Sequence, residues 1–365
     1  MTRGVLAVLG SGETAPGMTK VHRELLSRLS PLRAVNLDSA YGFQLNVPQM
    51  SQKLEEYFKV SLNTELTTLH FTNFEKSNEL ERTLFKQQVR QANYVFAGPG
   101  SPSYALAQWT PLDLGSDLLS VLEADGTLCI SSAAALTLGA FTAPIYEVYK
   151  VGVEPYWLAG LDILAAYGLN CVVIPHFDNN EGENYDTRYC YLGEPRLRFL
   201  EHLLPDGVST LGVDEHTALI FDFSNDSLRV QGRANGYWRS NGAERILENG
   251  STTSIAELRN APLVPRATTH VENTELEAKE PAELGRVALD GGPESVKALA
   301  QLVQLAQSGG HGFIDPTSLI EGVLTARRSA RESGLYELAD QLRDLLIDAR
   351  VEVNDTADGT SWSLR

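Results

Sequence analysis

Cysteine is scarce in this sequence: three residues, Cys129, Cys171 and Cys190, in a chain of 365. They are far apart and odd in number, and two lie in apolar runs that read as core strands. This argues for reduced thiols in a cytoplasmic protein, and against a disulfide framework or a zinc site. No apolar run reaches the roughly 18 residues that a membrane span needs. The apolar stretch ending at Gly10 is too short for a signal sequence and reads as a first buried strand. Basic residues are outnumbered, 30 Lys and Arg against 47 Asp and Glu, for a formal charge of −17. Such a balance opposes non-specific nucleic-acid binding and leaves only a local basic patch open. Neither a cofactor nor a metal is expected.

What is present is an ordinary globular composition, 43% hydrophobic, at a length comfortable for two domains. Strand-like runs at 5–10, 32–37, 66–71 and 94–98 alternate with helical stretches at 19–29, 50–58, 79–92 and 104–108. That spacing predicts an α/β fold with a doubly wound, mostly parallel sheet covered on both faces. In such sheets a site gathers where the strands end, and chemistry-bearing residues do follow the runs. Glu13 follows the first, and the turn holding Gly98 and Gly100 follows the fourth. His176 follows 171–175, while Asp214 and Glu215 follow 209–213.

The centre of this pattern is 126–139, GTLCISSAAALTLG, where a buried strand runs without a loop into a helix. Ser131 and Ser132 sit at the reversal. An abrupt strand-to-helix turn lifts one side chain above the sheet and faces it with free helix N–H groups. The same serines could simply cap the helix. Serine, histidine and carboxylate at the ends of separate strands match the needs of a nucleophile, a base and an orienting acid.

Residues 218–232 read as two strands around a turn at 224–226, forming with 236–239 a sheet edge. The stretch 251–292, bracketed by Pro262, Pro265, Pro281 and Pro293 and rich in acids, reads as a solvated linker. Helical spacing returns at 294–307, from Asp315-Pro316 to about 332, and at 336–349. The end reads as a hairpin turning at Asp358-Gly359, with Trp362 packed on the helices. The expected organisation is a domain over 1–250, a linker over 251–292 and a helical module over 293–365.

The first ~240 residues resemble the aspartyl dipeptidase and cyanophycinase family of serine peptidases, within the class I glutamine amidotransferase-like fold. The segments that carry the resemblance are LGSGE, LDSAYGFQLN, FAGPGSPSYAL, ISSAAAL, IPHF and GVDEHTALIFD. The resemblance implies Ser132 as nucleophile, His176 as base and Glu215 as the acid. It also implies an oxyanion site from the Gly98–Gly100 turn and the Ala133 N–H. Ala134 and Ile130 stand where the family has glycine, and isoleucine is the harder of the two to fit in a tight elbow. Pro175 stands where cyanophycin-cleaving members have glutamine, so cyanophycin is not carried over as substrate.

The last ~50 residues resemble a different family, the C-terminal end of cysteinyl-tRNA synthetase, through ARRSAR, LADQLRDLL and NDTADGTSW. Neither nucleotide signature of those synthetases occurs in the chain. The module reads as a packing or oligomerisation element, with tRNA contact the alternative.

The expected activity is hydrolysis of a small peptide or amide by a homo-oligomer without membrane contact. Glu13, Asp214 and Arg188 are expected near the substrate, and Arg188, Arg196 and Arg198 are available to pair with a substrate carboxylate. The polar acids and Arg188 of 178–194 either dress the pocket mouth or form a solvated loop. The rival reading is a catalytically silent binding protein, favoured by Ile130 and Ala134. Cysteine-based amidotransfer is weaker, because Cys129 comes three residues early and would point into the sheet.

Overall fold

The computed structural model describes residues 4–260 apart from 183 and 241–242, and then 264–265, 324, 327–328, 331, 343, 351–356 and 359–364. The chain divides into two compact units, Met1–Ala267 and Thr268–Arg365.

The first unit opens with β1 (Val5–Leu9), whose five residues are all buried, the mark of a strand covered on both faces. Then follow α1 (Thr19–Ser27), β2 (Ala34–Leu37), α2 (Val47–Leu62), β3 (Thr67–Leu69), α3 (Glu79–Gln91) and β4 (Tyr94–Ala97). The start of α3 is set by a capping box between Asn78 and Glu81, and the helix turns Phe85 and Val89 inward at i, i+4 spacing. Next come α4 (Pro102–Trp109), α5 (Leu114–Glu123), β5 (Thr127–Ser131) and α6 (Ser132–Leu136). A two-stranded piece, β6 (Phe141–Thr142) with β7 (Leu158–Ala159), encloses a π-helix at Glu147–Val151.

Past β8 (Cys171–Ile174), α7 (Gly193–His202) and β9 (Ser209–Val213), the strands pair antiparallel. These are β10 (Thr217–Asp222), β11 (Ser227–Gly232), β12 (Gly236–Ser240), β13 (Ala243–Leu247) and β14 (Thr252–Ser254), then α8 (Ile255–Asn260) and β15 (Val264–Pro265). An eight-stranded sheet has the order β14-β11-β10-β1-β5-β4-β2-β3 and is parallel from β1 through β3. A five-stranded sheet has the order β15-β13-β12-β9-β8. The mixed α/β fold with a large, mostly parallel sheet is therefore as the alternation of runs indicates.

Three sequence expectations change. The strands at 218–232 and 236–240 do not form one edge, because β10 pairs with β1 in the first sheet while β12 pairs with β9 in the second. The expected linker starts too early, since β14 and α8 add to the first unit with Ile255 and Leu258 buried. The site expected above one sheet draws on two. In β5 the side chains alternate between cores: Leu128 and Ile130 join one apolar cluster and Cys129 the cluster on the opposite face.

In the second unit, β16 (Val351–Thr356) and β17 (Gly359–Leu364) pair antiparallel. The helices expected between 294 and 349, and the packing of Trp362, lie outside the described residues apart from isolated positions.

Candidate active site

Ser132 is the first residue of α6, immediately after β5, and its φ is 52°. A side chain with φ in the left-handed region is strained, and this is the backbone of a sharp strand-to-helix elbow. The Ser132 Oγ lies 2.8 Å from His176 Nε2, and the His176 Nδ1 lies 2.7 Å from Glu215 Oε1. With Nδ1 donating to the carboxylate, Nε2 is left as the acceptor for the serine hydroxyl. The hydrogen bond from His176 holds the Glu215 carboxyl below its ordinary range, so it stays ionised.

The three residues come from two sheets. Ser132 follows β5 of the large sheet, whereas His176 and Glu215 follow β8 and β9 of the smaller one. The seam is at Gly10, whose carbonyl accepts the His176 N–H at 3.3 Å and whose N–H donates to the Thr217 carbonyl at 3.0 Å. A Cβ at Gly10 would fall 2.0 Å from the Asp214 carbonyl oxygen, so only glycine lets the sheets approach this closely.

Asn179, missed in the sequence, and Asp178, expected only as a pocket-mouth or loop acid, hold Glu215 in place. The Asn179 Nδ2 donates to Glu215 Oε1 at 3.1 Å, and Asp178 Oδ1 accepts the Glu215 N–H at 2.7 Å. The Asn179 side chain is buried, and its position in the run HFDNN straight after the histidine was the available signal.

Gly100 lines the cavity in front of Ser132, and a Cβ there would meet the Ala40 carbonyl oxygen at 2.0 Å. Ala133, second in its helix, has no N–H acceptor within the helix and lines the same cavity. Gly98 plays another part: its carbonyl accepts the Ala134 N–H at 3.3 Å.

The remaining expectations are displaced. Glu13 accepts a hydrogen bond from the Ser131 hydroxyl at 3.1 Å, supporting the elbow from behind rather than lining the cavity. Asp214 is buried beneath Glu215, where it accepts bonds from the Asn235 N–H and the Tyr237 hydroxyl. Burial pushes its pKa up to about 6. The Arg188 guanidinium is clamped on Asp186 by two 2.8 Å bonds, and Arg198 pairs with Glu194, so these cations are occupied. Arg196 does not line the cavity. In the 178–194 loop Glu181 does reach it, bonded to the Tyr191 hydroxyl, while Glu183 lies outside the described residues.

Ile130 is 2% exposed and faces the core between Val8 and Ala97 on neighbouring strands, so it does not plug the cavity. Ala134 is fully buried without displacing the elbow. Cys129 lies in the core beside His22 and Tyr94, and burial raises its thiol to about 12, which leaves it neutral. Among the described residues no group of three or more His, Cys, Asp or Glu side chains is placed to hold a metal ion. No helix among them is long and apolar enough to cross a membrane.

The cavity encloses about 290 Å³, and much of its wall was missed in the sequence: Tyr146, Tyr149, Lys150, Tyr185 and Tyr191. For Tyr146, Tyr149 and Lys150 the aromatic spacing in YEVYKV was the only signal, while Tyr185 and Tyr191 lie in the 178–194 segment, whose acids and arginine rather than its tyrosines stood out.

No protein-family model matches the chain. Short stretches are similar to cysteine–tRNA ligases, 40% identical over 50 residues for that of Petrotoga mobilis, covering 14% of this chain and 11% of the ligase. For the ligase of Thermosipho africanus the match is 39% over 46 residues, 13% of this chain and 10% of the ligase. The chain thus spans about a tenth of the length of these curated relatives. Among solved structures it is similar to a peptidase from an acI-B1 Actinobacterium, with a TM-score of 0.56 and 22% identity, over 69% of this chain and 97% of that one. The chain shares the fold of that peptidase.

Proposed function

We propose that the chain is a serine hydrolase of the peptidase kind, with Ser132 as nucleophile, His176 as general base and Glu215 as the acid that orients it. The observation that carries this reading is the continuous relay, 2.8 Å from hydroxyl to imidazole and 2.7 Å from imidazole to carboxylate, set on a serine with left-handed backbone.

The Ser132 Oγ attacks a carbonyl carbon as His176 Nε2 takes the hydroxyl proton, and Glu215 stabilises the imidazolium formed. The carbonyl oxygen, now negative, is received by the N–H groups of Ala133 and Gly100; Pro99 between the glycines has no N–H to offer. Collapse of the tetrahedral intermediate expels an amine, which takes its proton from His176. Water then attacks the acyl-enzyme with His176 again as base, releasing the acid and restoring Ser132. A cavity of about 290 Å³ suits a small peptide or amide.

The rival silent reading rests on Ile130 and Ala134, and neither obstructs the cavity, so no observation favours it. The test is labelling of the full-length protein by a fluorophosphonate. Modification of the wild type that is lost in Ser132→Ala supports the reading, and equal modification of both proteins ends it.

A further inference from the structure

We infer that the residue contributing the attacked carbonyl carries an aromatic or large apolar side chain rather than an acidic one. This rests on the serine-hydrolase reading above and specifies its substrate class. The argument begins with where the cavity holds its charges. Its lining includes one cation, Lys150, and one carboxylate outside the relay, Glu181, and both are exposed. Apart from Ser132 itself the buried part of the lining is apolar: Leu136, Ile145 and Cys190 are 1%, 4% and 5% exposed. Burial holds the Cys190 thiol up at about 12, so it meets a ligand as a small neutral group.

The wall is aromatic and rigidly built. Tyr149 stacks on Tyr191 with ring centroids 4.9 Å apart and planes 28° from parallel. Its hydroxyl lies 2.6 Å from that of Tyr185, and the Tyr191 hydroxyl donates to Glu181. Tyr191 and Cys190 reach the cavity through an unusual backbone: Tyr189, Cys190 and Tyr191 have φ of 60°, 57° and 66°. Three consecutive non-glycine residues in the left-handed region are held only where the surroundings enforce it. Here the enforcement includes the site itself, since the Cys190 N–H donates to the His176 carbonyl at 3.0 Å and the Tyr189 N–H to the Phe177 carbonyl at 3.0 Å. The same turn that fixes the base therefore delivers the wall.

An acidic side chain entering this space would need a cation at depth. The arginines nearby are committed: Arg188 to Asp186, Arg198 to Glu194, and buried Arg239 to Glu201 and Glu244. The Lys150 amine lies over the Tyr149 ring, 4.5 Å from its centroid, at the exposed side. A carboxylate placed against Leu136, Ile145 and Cys190 would lose its hydration without an ion pair in return. A phenyl or isobutyl group loses nothing there, and its flat face complements the Tyr149–Tyr191 pair.

Diphenyl aminoalkylphosphonates test this directly, because their side chain stands for that of the acyl residue. Ser132 Oγ forms the P–O bond, phenoxide leaves, and His176 takes the hydroxyl proton. The rate of Ser132 modification in the full-length protein is followed by intact-mass spectrometry for esters with benzyl, methyl and carboxymethyl side chains. The benzyl ester is expected to react roughly 10- to 200-fold faster than the carboxymethyl ester. Tyr149→Ala is expected to narrow that ratio by slowing the benzyl ester more than the methyl ester. A carboxymethyl ester that reacts as fast as the benzyl ester, or faster, overturns the inference and leaves the hydrolase reading standing. So does a benzyl ester that fails where the fluorophosphonate succeeds. If the fluorophosphonate also fails to modify Ser132, the hydrolase reading falls and this one with it.

Discussion

Ser132 and His176 meet at 2.8 Å across a hydrogen bond whose two partners both stand on left-handed backbone, φ 52° and 48°. Neither residue is glycine, so each holds its side chain in the cavity at the expense of local strain. The first prediction isolates that strain at the serine. Both Ser132→Ala and Ser132→Gly remove the hydroxyl, but glycine adopts positive φ freely. Ser132→Gly is expected to be more stable than Ser132→Ala by about 1 kcal/mol. Denaturant unfolding of the two variants measures the difference, and equal stabilities would contradict a strained elbow.

The second concerns the acid and its support. Glu215→Gln should lower kcat by roughly 10⁴-fold, because the imidazole loses the partner that fixes its tautomer. Asn179→Ala removes only one of two donors to Glu215, so a loss of about tenfold is expected. A loss for Asn179→Ala as large as that for Glu215→Gln would show that the amide does more than hold the carboxylate.

Ile130 provides a third test, since the sequence makes it an obstacle and the structure makes it core. Ile130→Val should cost about 1 kcal/mol of stability, as one buried methylene is lost. Fluorophosphonate labelling should proceed at the wild-type rate. Faster labelling would mean that the isoleucine does crowd the elbow.

The fourth concerns acid stability. His22 is buried with its Nε2 donating to the Glu13 carbonyl at 2.7 Å and its Nδ1 facing the Tyr94 hydroxyl at 3.0 Å. Burial lowers its pKa from 6.5 to about 4. The folded state therefore binds a proton here less readily than the unfolded chain. The stability this contributes is fully present above pH 6.5 and is lost as pH falls toward 4, on the order of 3 kcal/mol in total. Asp214, raised by burial to about 6, works in the opposite direction. Comparing wild type with His22→Gln cancels that contribution. The stability gap between the two proteins should be widest near pH 8 and shrink toward pH 4, and a gap independent of pH would refute the buried neutral imidazole.

The relay was legible in the sequence because its logic is local to each strand. A run of Val, Leu and Ile that ends in Ser132, His176 or Glu215 announces both the strand and the place where its last side chain leaves it. What the sequence did not disclose depends on pairing between distant segments. Strands β9 and β10 are separated by only three residues, yet they belong to different sheets, and nothing in GVDEHTALIFD records that switch. The arginines after His176 looked available because their partners Asp186 and Glu194 are indistinguishable from solvated acids until the loop closes on itself. The tyrosine wall was hidden for the same reason, with Tyr149 and Tyr191 far apart in the chain and brought together only by the turn that follows His176. Ile130 misled in the other direction, since the spacing rule for an elbow gives no weight to which face of β5 a side chain takes.

The carbonyl of Gly10 fastens the histidine turn of one sheet to the first strand of the other, so the reacting atoms are aligned by a joint rather than by a single rigid slab. On the proposed hydrolase reading, turnover is a gauge of how firmly that joint is closed. A change anywhere along it that lets the sheets slip by an ångström would part Ser132 from His176 and end the proposed activity, while the protein's strands, helices and melting behaviour remained intact.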